Sequence, residues 1–138
     1  MTLNVFTPTQ KKISLYSDFK KDLEVNLLTD DVSILRDEDS VKEAIRNLLM
    51  TDRGERLMQP NLGAGLRQLL FENMIPSTFE LVKERVKSTL EIYEPRADII
   101  DITVSGSLDE GSVFVNIVFF INNREQPITL DVILERTR

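Results

Sequence analysis

Residues 47–72 read NLLMTDRGERLMQPNLGAGLRQLLFE, and the order of features in that run sets the organisation of the chain. Leu48 and Leu49 complete an apolar helix that ends at Thr51. The turn Arg53-Gly54-Glu55-Arg56 follows, with Gly54 free to take the positive φ that closes a helix. A bend through Pro60, Gly63 and Gly65 then feeds a short helix bearing Leu66, Leu69, Leu70 and Phe71, and Pro76 closes the segment. A Gly-x-Gly bend before a helix also occurs in phosphate loops. Here no Gly-Lys-Ser/Thr follows and no suitably spaced strand precedes, so the glycines are better read as a tight turn where a helix packs closely.

Upstream, Ser40 and Glu43 have the spacing of a capping box. Val41, Ile45, Leu48 and Leu49 then form one stripe of a helix. Before that helix, Leu23, Val25 and Leu27 alternate with polar residues. An Asp-rich break at Thr29-Asp30-Asp31 separates them from Val32 and Ile34, which predicts a hairpin over 15–35. Residues 1–14 carry Pro8, Lys11 and Lys12 and no helix signal. They read as a flexible arm, or as one that orders against a neighbour through Leu3, Val5 and Phe6.

Downstream, Ser77 and Glu80 offer a second capping box for the clearest helix in the chain. Phe79, Val82, Val86, Leu90 and Tyr93 share its apolar face, and Pro95 stops it. The remainder alternates as strands. Ile100, Ile102 and Val104 form one set, and Asp109-Glu110-Gly111 forms a turn. Val113 to Ile121 is almost wholly apolar, which predicts a central strand covered on both faces. Asn122-Asn123 turns the chain into a last strand whose alternate residues are Ile128, Leu130, Val132 and Leu134. The whole is an α+β domain over 15–138, a helical middle packed on a mainly antiparallel C-terminal sheet.

Composition removes several functions. The chain has 138 residues, no Cys, no His and no Trp, and a formal charge of -6. Thiolate chemistry, His-dependent triads and the usual zinc and haem ligands are absent, so a metal would need a carboxylate site for magnesium or calcium. No cofactor is expected. The acidic balance opposes general nucleic-acid binding and docking on an anionic membrane. No apolar run approaches the ~20 residues of a membrane span, and the N-terminus lacks the pattern of a signal peptide, which together predict a cytoplasmic site of synthesis.

Twenty-three acids make a carboxylate pair uninformative by itself. A glycosidase needs one carboxyl with a raised pKa. Its candidates here, Glu55, Glu72 and Glu94, include two set beside arginines, which lower a carboxyl pKa. Arg53, Glu55 and Arg56 admit two readings: an ion-pair knot holding its own loop, or a guanidinium surface that fixes a neighbour's geometry. Glu94, Pro95 and Arg96 are either a helix stop with charged flanks or an interface corner. The strand bearing Ile128, Leu130, Val132 and Leu134 either pairs wholly inside the sheet or leaves an edge open to another chain. Its outward set, Thr129, Asp131, Ile133 and Glu135, is mostly polar, as a managed edge requires.

The order Thr51, Gly54, Glu55, Arg56, Pro60, Gly63, Leu70, Phe71 and Glu72, together with Tyr93-Glu94-Pro95-Arg96, resembles the baseplate-wedge proteins of contractile phage tails. These are the sheath initiators, long described as lysozyme-like. The resemblance spans Leu15 to Glu135 and is densest between Ala44 and Glu72. It implies a structural protein with no catalytic residues and a fold like the conserved domain of tail sheath subunits. It implies an interface built from Arg53, Glu55, Arg56, Glu94, Pro95, Arg96, Ile128, Leu130, Val132 and Leu134. The implied partners are the tail sheath protein and other wedge proteins, with six copies in the assembled baseplate and a monomer when isolated. The implied location is the virion tail, assembled in host cytoplasm. A type VI secretion baseplate component and a peptidoglycan hydrolase are the alternatives, and the short chain without extra basic segments favours phage.

Overall fold

The alternating C-terminal third forms three antiparallel strands, β5 (Ala97–Ser107), β6 (Ser112–Ile121) and β7 (Ile128–Glu135), in the order β5-β6-β7. The computed structural model describes residues 14–73, 75–107, 112–122 and 124–135. Preceding the sheet are four short strands, β1 (Ser17–Phe19), β2 (Val25–Asn26), β3 (Asp31–Val32) and β4 (Ile34–Arg36), and three helices, α1 (Glu38–Met50), α2 (Leu66–Leu69) and α3 (Pro76–Tyr93). This is the α+β arrangement that the patterning predicts. β1 pairs with β4 around β2 and β3, so the expected hairpin is present. Residues 1–13 and the Asp109-Glu110-Gly111 turn lie outside the described residues.

One face of the sheet makes the core. Val113, Val115, Ile117, Phe119 and Ile121 of β6 are buried beside Ile128, Leu130, Val132 and Leu134 of β7. Val82, Val86 and Leu90 of α3 and Val41, Ile45 and Leu49 of α1 belong to the same cluster. The helical period of 3.6 and the strand period of 2 thus bring their apolar sets to one layer. α3 lies against β5 so closely that a Cβ on Gly106 would sit 2.7 Å from the Phe79 ring.

β6 is central, as its composition predicts, but it is not covered on both faces. Phe114 is exposed and Phe120 and Val118 are half-buried, because both long helices pack on the opposite side. The alternation of β5 also breaks. A bulge between Ile99 and Asp101 inserts Ile100 as an extra residue and turns it to solvent, while Ile99, Ile102 and Val104 keep to the core.

Neither capping box forms. α1 begins at Glu38 after Asp37, so Ser40 lies inside the first turn, buried and with no partner for its hydroxyl. Glu43 turns instead to Arg46, at 2.8 Å. Asp37 does not cap the helix either, because its carboxylate accepts the backbone N–H groups of Leu15 at 2.8 Å and Tyr16 at 3.3 Å. Arg124 approaches its other oxygen at 3.4 Å. α3 starts two residues earlier than the box requires, with Ile75 rather than Ser77 before its first residue. Pro76 therefore opens this helix rather than closing the segment before it, since its fixed φ suits the first helical position.

Candidate assembly interface

The Arg53–Arg56 turn is a braced protrusion. Gly54 N–H donates to Pro60 C=O at 2.8 Å, and Gln59 N–H donates to Arg56 C=O at 3.2 Å. At the base, Gly63 has φ +105, and a Cβ there would lie 2.3 Å from the Thr51 carbonyl oxygen. Glycine is therefore required by close packing, as the sequence indicates, and not by a phosphate. Glu55 accepts the Asp52 N–H at 3.0 Å, and Arg53 Nε donates to Gly63 C=O at 3.4 Å. Among the described residues, Arg53, Glu55 and Arg56 form no ion pair with one another. The ion-pair knot is absent, and no described carboxylate lies within pairing distance of Arg56.

The Glu94-Pro95-Arg96 corner has the opposite character. Glu94, a charged residue beside a helix stop, is 3% exposed. Arg96 grips it with two parallel bonds, Nε to Oε1 at 2.5 Å and Nη2 to Oε2 at 2.7 Å. The geometry is the bidentate fork in which guanidinium and carboxylate match best. The bond to Glu94 raises the Arg96 pKa above its ordinary value. The guanidinium also lies over the Tyr16 ring, 5.5 Å from its centroid, so the corner reaches back to the N-terminal hairpin. Pro95 remains exposed.

The two motifs meet. Tyr93 Oη donates to Asn61 C=O at 3.0 Å, linking the end of α3 to the loop. Between them runs a groove of about 230 Å³, lined by Ala44, Asn47, Leu48, Thr51, Arg56, Leu62, Tyr93 and Glu94. Sequence reasoning missed Tyr16 and Asn61, because their partners lie far away along the chain.

Ile128, Leu130, Val132 and Leu134 have their side chains in the core and offer none of them to another chain. Asn122 N–H donates to Arg96 C=O. Because backbone groups alternate across a strand, the even residues of β6 then face β5 and the odd ones face β7. With Ile117 opposite Leu130 and Val115 opposite Val132, the even residues of β7 bond inward. The N–H and C=O groups of Thr129, Asp131 and Ile133 consequently point to the outer edge, where no described strand pairs with them.

Residues 35–125 match the model of the baseplate wedge protein gp25 family. Baseplate wedge protein gp25 of Enterobacteria phage T4 is 32% identical over 107 residues, which cover 78% of this chain and 80% of the phage protein. The chain belongs to the gp25 family of baseplate wedge proteins. Among solved structures, a Geobacter sulfurreducens protein described as a tail lysozyme superposes with a TM-score of 0.67 at 28% identity, over 73% of this chain and 92% of that one. A chain of the anti-feeding prophage baseplate gives 0.62 at 18% identity, over 89% and 87% of the two chains. A chain of the type VI secretion baseplate complex gives 0.60 at 17%, over 72% and 93%. At these identities the last two establish the shared fold. Among the described residues, no three Asp or Glu side chains cluster to hold a metal, and no helix is long and apolar enough to cross a membrane.

Proposed function

We propose that this baseplate wedge protein is a non-enzymatic part of a contractile phage tail that joins the wedge on its helical side and starts the sheath on its strand side. The groove between the Arg53–Gly65 loop and the Glu94-Pro95-Arg96 corner is the wedge contact. Arg56 and Asn47 are its exposed members, Pro95 stands exposed on the adjoining corner, and the Glu94–Arg96 pair holds the shape from beneath. The edge of β7 is the sheath contact, and a strand of a sheath subunit adds there. Six copies around the baseplate make many weak strand pairings into one firm ring, since each backbone hydrogen bond contributes only about 0.5–1.5 kcal/mol net. A hydrolytic role is disfavoured because both oxygens of Glu94 are taken by Arg96.

The observation that carries the sheath reading is the row of outward backbone groups at Thr129, Asp131 and Ile133 on a strand paired on one side only. Proline at position 131 removes an outward N–H and leaves the β6–β7 ladder intact. Asp131→Pro is expected to fold normally and to lower the number of sheathed tails by at least tenfold. Val132→Pro, which breaks the inner ladder, is expected to unfold the sheet. Normal numbers of sheathed tails from folded Asp131→Pro protein contradict the edge reading.

A further inference from the structure

The tip of the Arg53–Gly65 loop carries Leu57 and Met58, which are 99% and 95% exposed. Neither residue fits an apolar period, and neither touches the core. Their exposure is not that of a loose segment. The loop is tied across by the Gly54–Pro60 bond, the Gln59–Arg56 turn and the Leu62–Gln59 turn, and its base is locked where Gly63 meets Thr51. A backbone ordered this fully presents both side chains to solvent in fixed positions, so little ordering remains to be done on binding. Beside them stands Arg56, exposed and without a carboxylate partner among the described residues, in a chain of net charge -6. Acidic side chains are plentiful in this protein, yet no described one lies within pairing distance of that guanidinium.

We infer that Leu57 and Met58 are anchors that insert into an apolar pocket of another baseplate wedge protein, with Arg56 pairing to carboxylates on the pocket's rim. This deepens the wedge contact proposed above and rests on that reading. Methionine suits such an anchor because its unbranched side chain adapts to irregular pockets. Small apolar anchors surrounded by charges at the rim follow the usual division of an interface into dry centre and polar edge. The acidic balance of the chain favours a protein pocket over an anionic lipid surface, which would repel it.

The test co-expresses the full chain with the other wedge proteins of the same tail and measures their co-purification. Leu57→Ser combined with Met58→Ser is expected to reduce capture about a hundredfold while leaving the urea midpoint of the isolated protein unchanged. Arg56→Glu is expected to reduce capture at least tenfold, with the difference from wild type shrinking as salt is raised. Asp131→Pro is expected to capture wedge proteins normally. Undiminished capture by the Leu57/Met58 variant overturns the anchor while leaving the wedge reading in place. Failure of the wild-type chain to capture any wedge protein overturns the wedge reading itself, and the anchor with it. Tip-dependent dimerisation in light scattering, or tip-dependent binding to phosphatidylserine–phosphatidylcholine vesicles, also overturns the proposal by assigning the tip to a second copy or to lipid.

Discussion

Arg56 and Arg96 each stand within two residues of a glutamate, and the protein treats them in opposite ways. Arg96 closes a fork on Glu94 where a helix hands over to the sheet, with its guanidinium over the Tyr16 ring. Arg56 stands on a tied loop next to Glu55, but Glu55 is already bound to the Asp52 N–H and no other described carboxylate reaches the guanidinium. The lesson is that charge in a motif does not declare its use. The backbone decides whether a neighbouring acid is reachable, and so whether a guanidinium holds the fold or is left for a partner.

The sharpest way to break this contrast is at Glu94. Glu94→Ala leaves the Arg96 guanidinium half-buried and unpaired, and is expected to cost about 3 kcal/mol, at the low end for a broken buried pair because Arg96 is partly exposed. Urea unfolding of the purified protein measures it. A loss below about 0.5 kcal/mol, the range of ordinary surface substitutions, would return the corner to a surface role.

Next in size is the base of the loop. Gly63→Ala places a Cβ against the Thr51 carbonyl and strains a positive φ, so about 2 kcal/mol of stability is expected to go. The same change should loosen the tip, read as faster amide exchange at Gly54 and Gln59. Unchanged exchange at both would mean that the loop is not held from its base.

The smallest effect belongs to the attachment of the N-terminal strand to α1. Asp37 has its pKa lowered, chiefly by the Leu15 N–H. A depressed folded pKa gives stabilisation that is present above the unfolded value of about 3.9 and lost as pH falls through the folded one. The gap in urea midpoint between wild type and Asp37→Asn should therefore stay constant from about pH 7 to 5 and narrow below about pH 4. A gap that does not change over that range contradicts the assignment.

Much of this protein is readable from its residues, and the unreadable parts share one cause. Val41, Ile45 and Leu49, then Val82, Val86 and Leu90, fall on helix faces by spacing alone and are buried together. The alternation of Ile128, Leu130, Val132 and Leu134 likewise placed β7. Ser77 misled because Pro76 opens its helix earlier, and Ser40 because the start of α1 is set at Asp37, which is engaged by tertiary partners. Asp37 is drawn to Leu15, Tyr16 and Arg124, which no local window contains. The bulge at Ile100 left no mark in an apolar run. The burial of Glu94 left no local signal because it comes with the sheet packing against α3. Within the candidate interface, the motifs were legible and their division of labour was not. The isolated pair Leu57-Met58, wedged between Arg56 and Gln59-Pro60, was the one signal of the tip that the sequence carried.

The most direct test compares the two arginines in one experiment. Arg56→Ala and Arg96→Ala are purified alone and unfolded in urea beside the wild type. Arg96→Ala, which strands a buried carboxylate, is expected to lose about 3 kcal/mol, and Arg56→Ala is expected to change stability by no more than about 0.5 kcal/mol. Equal losses, or a larger loss at Arg56, would contradict this contrast.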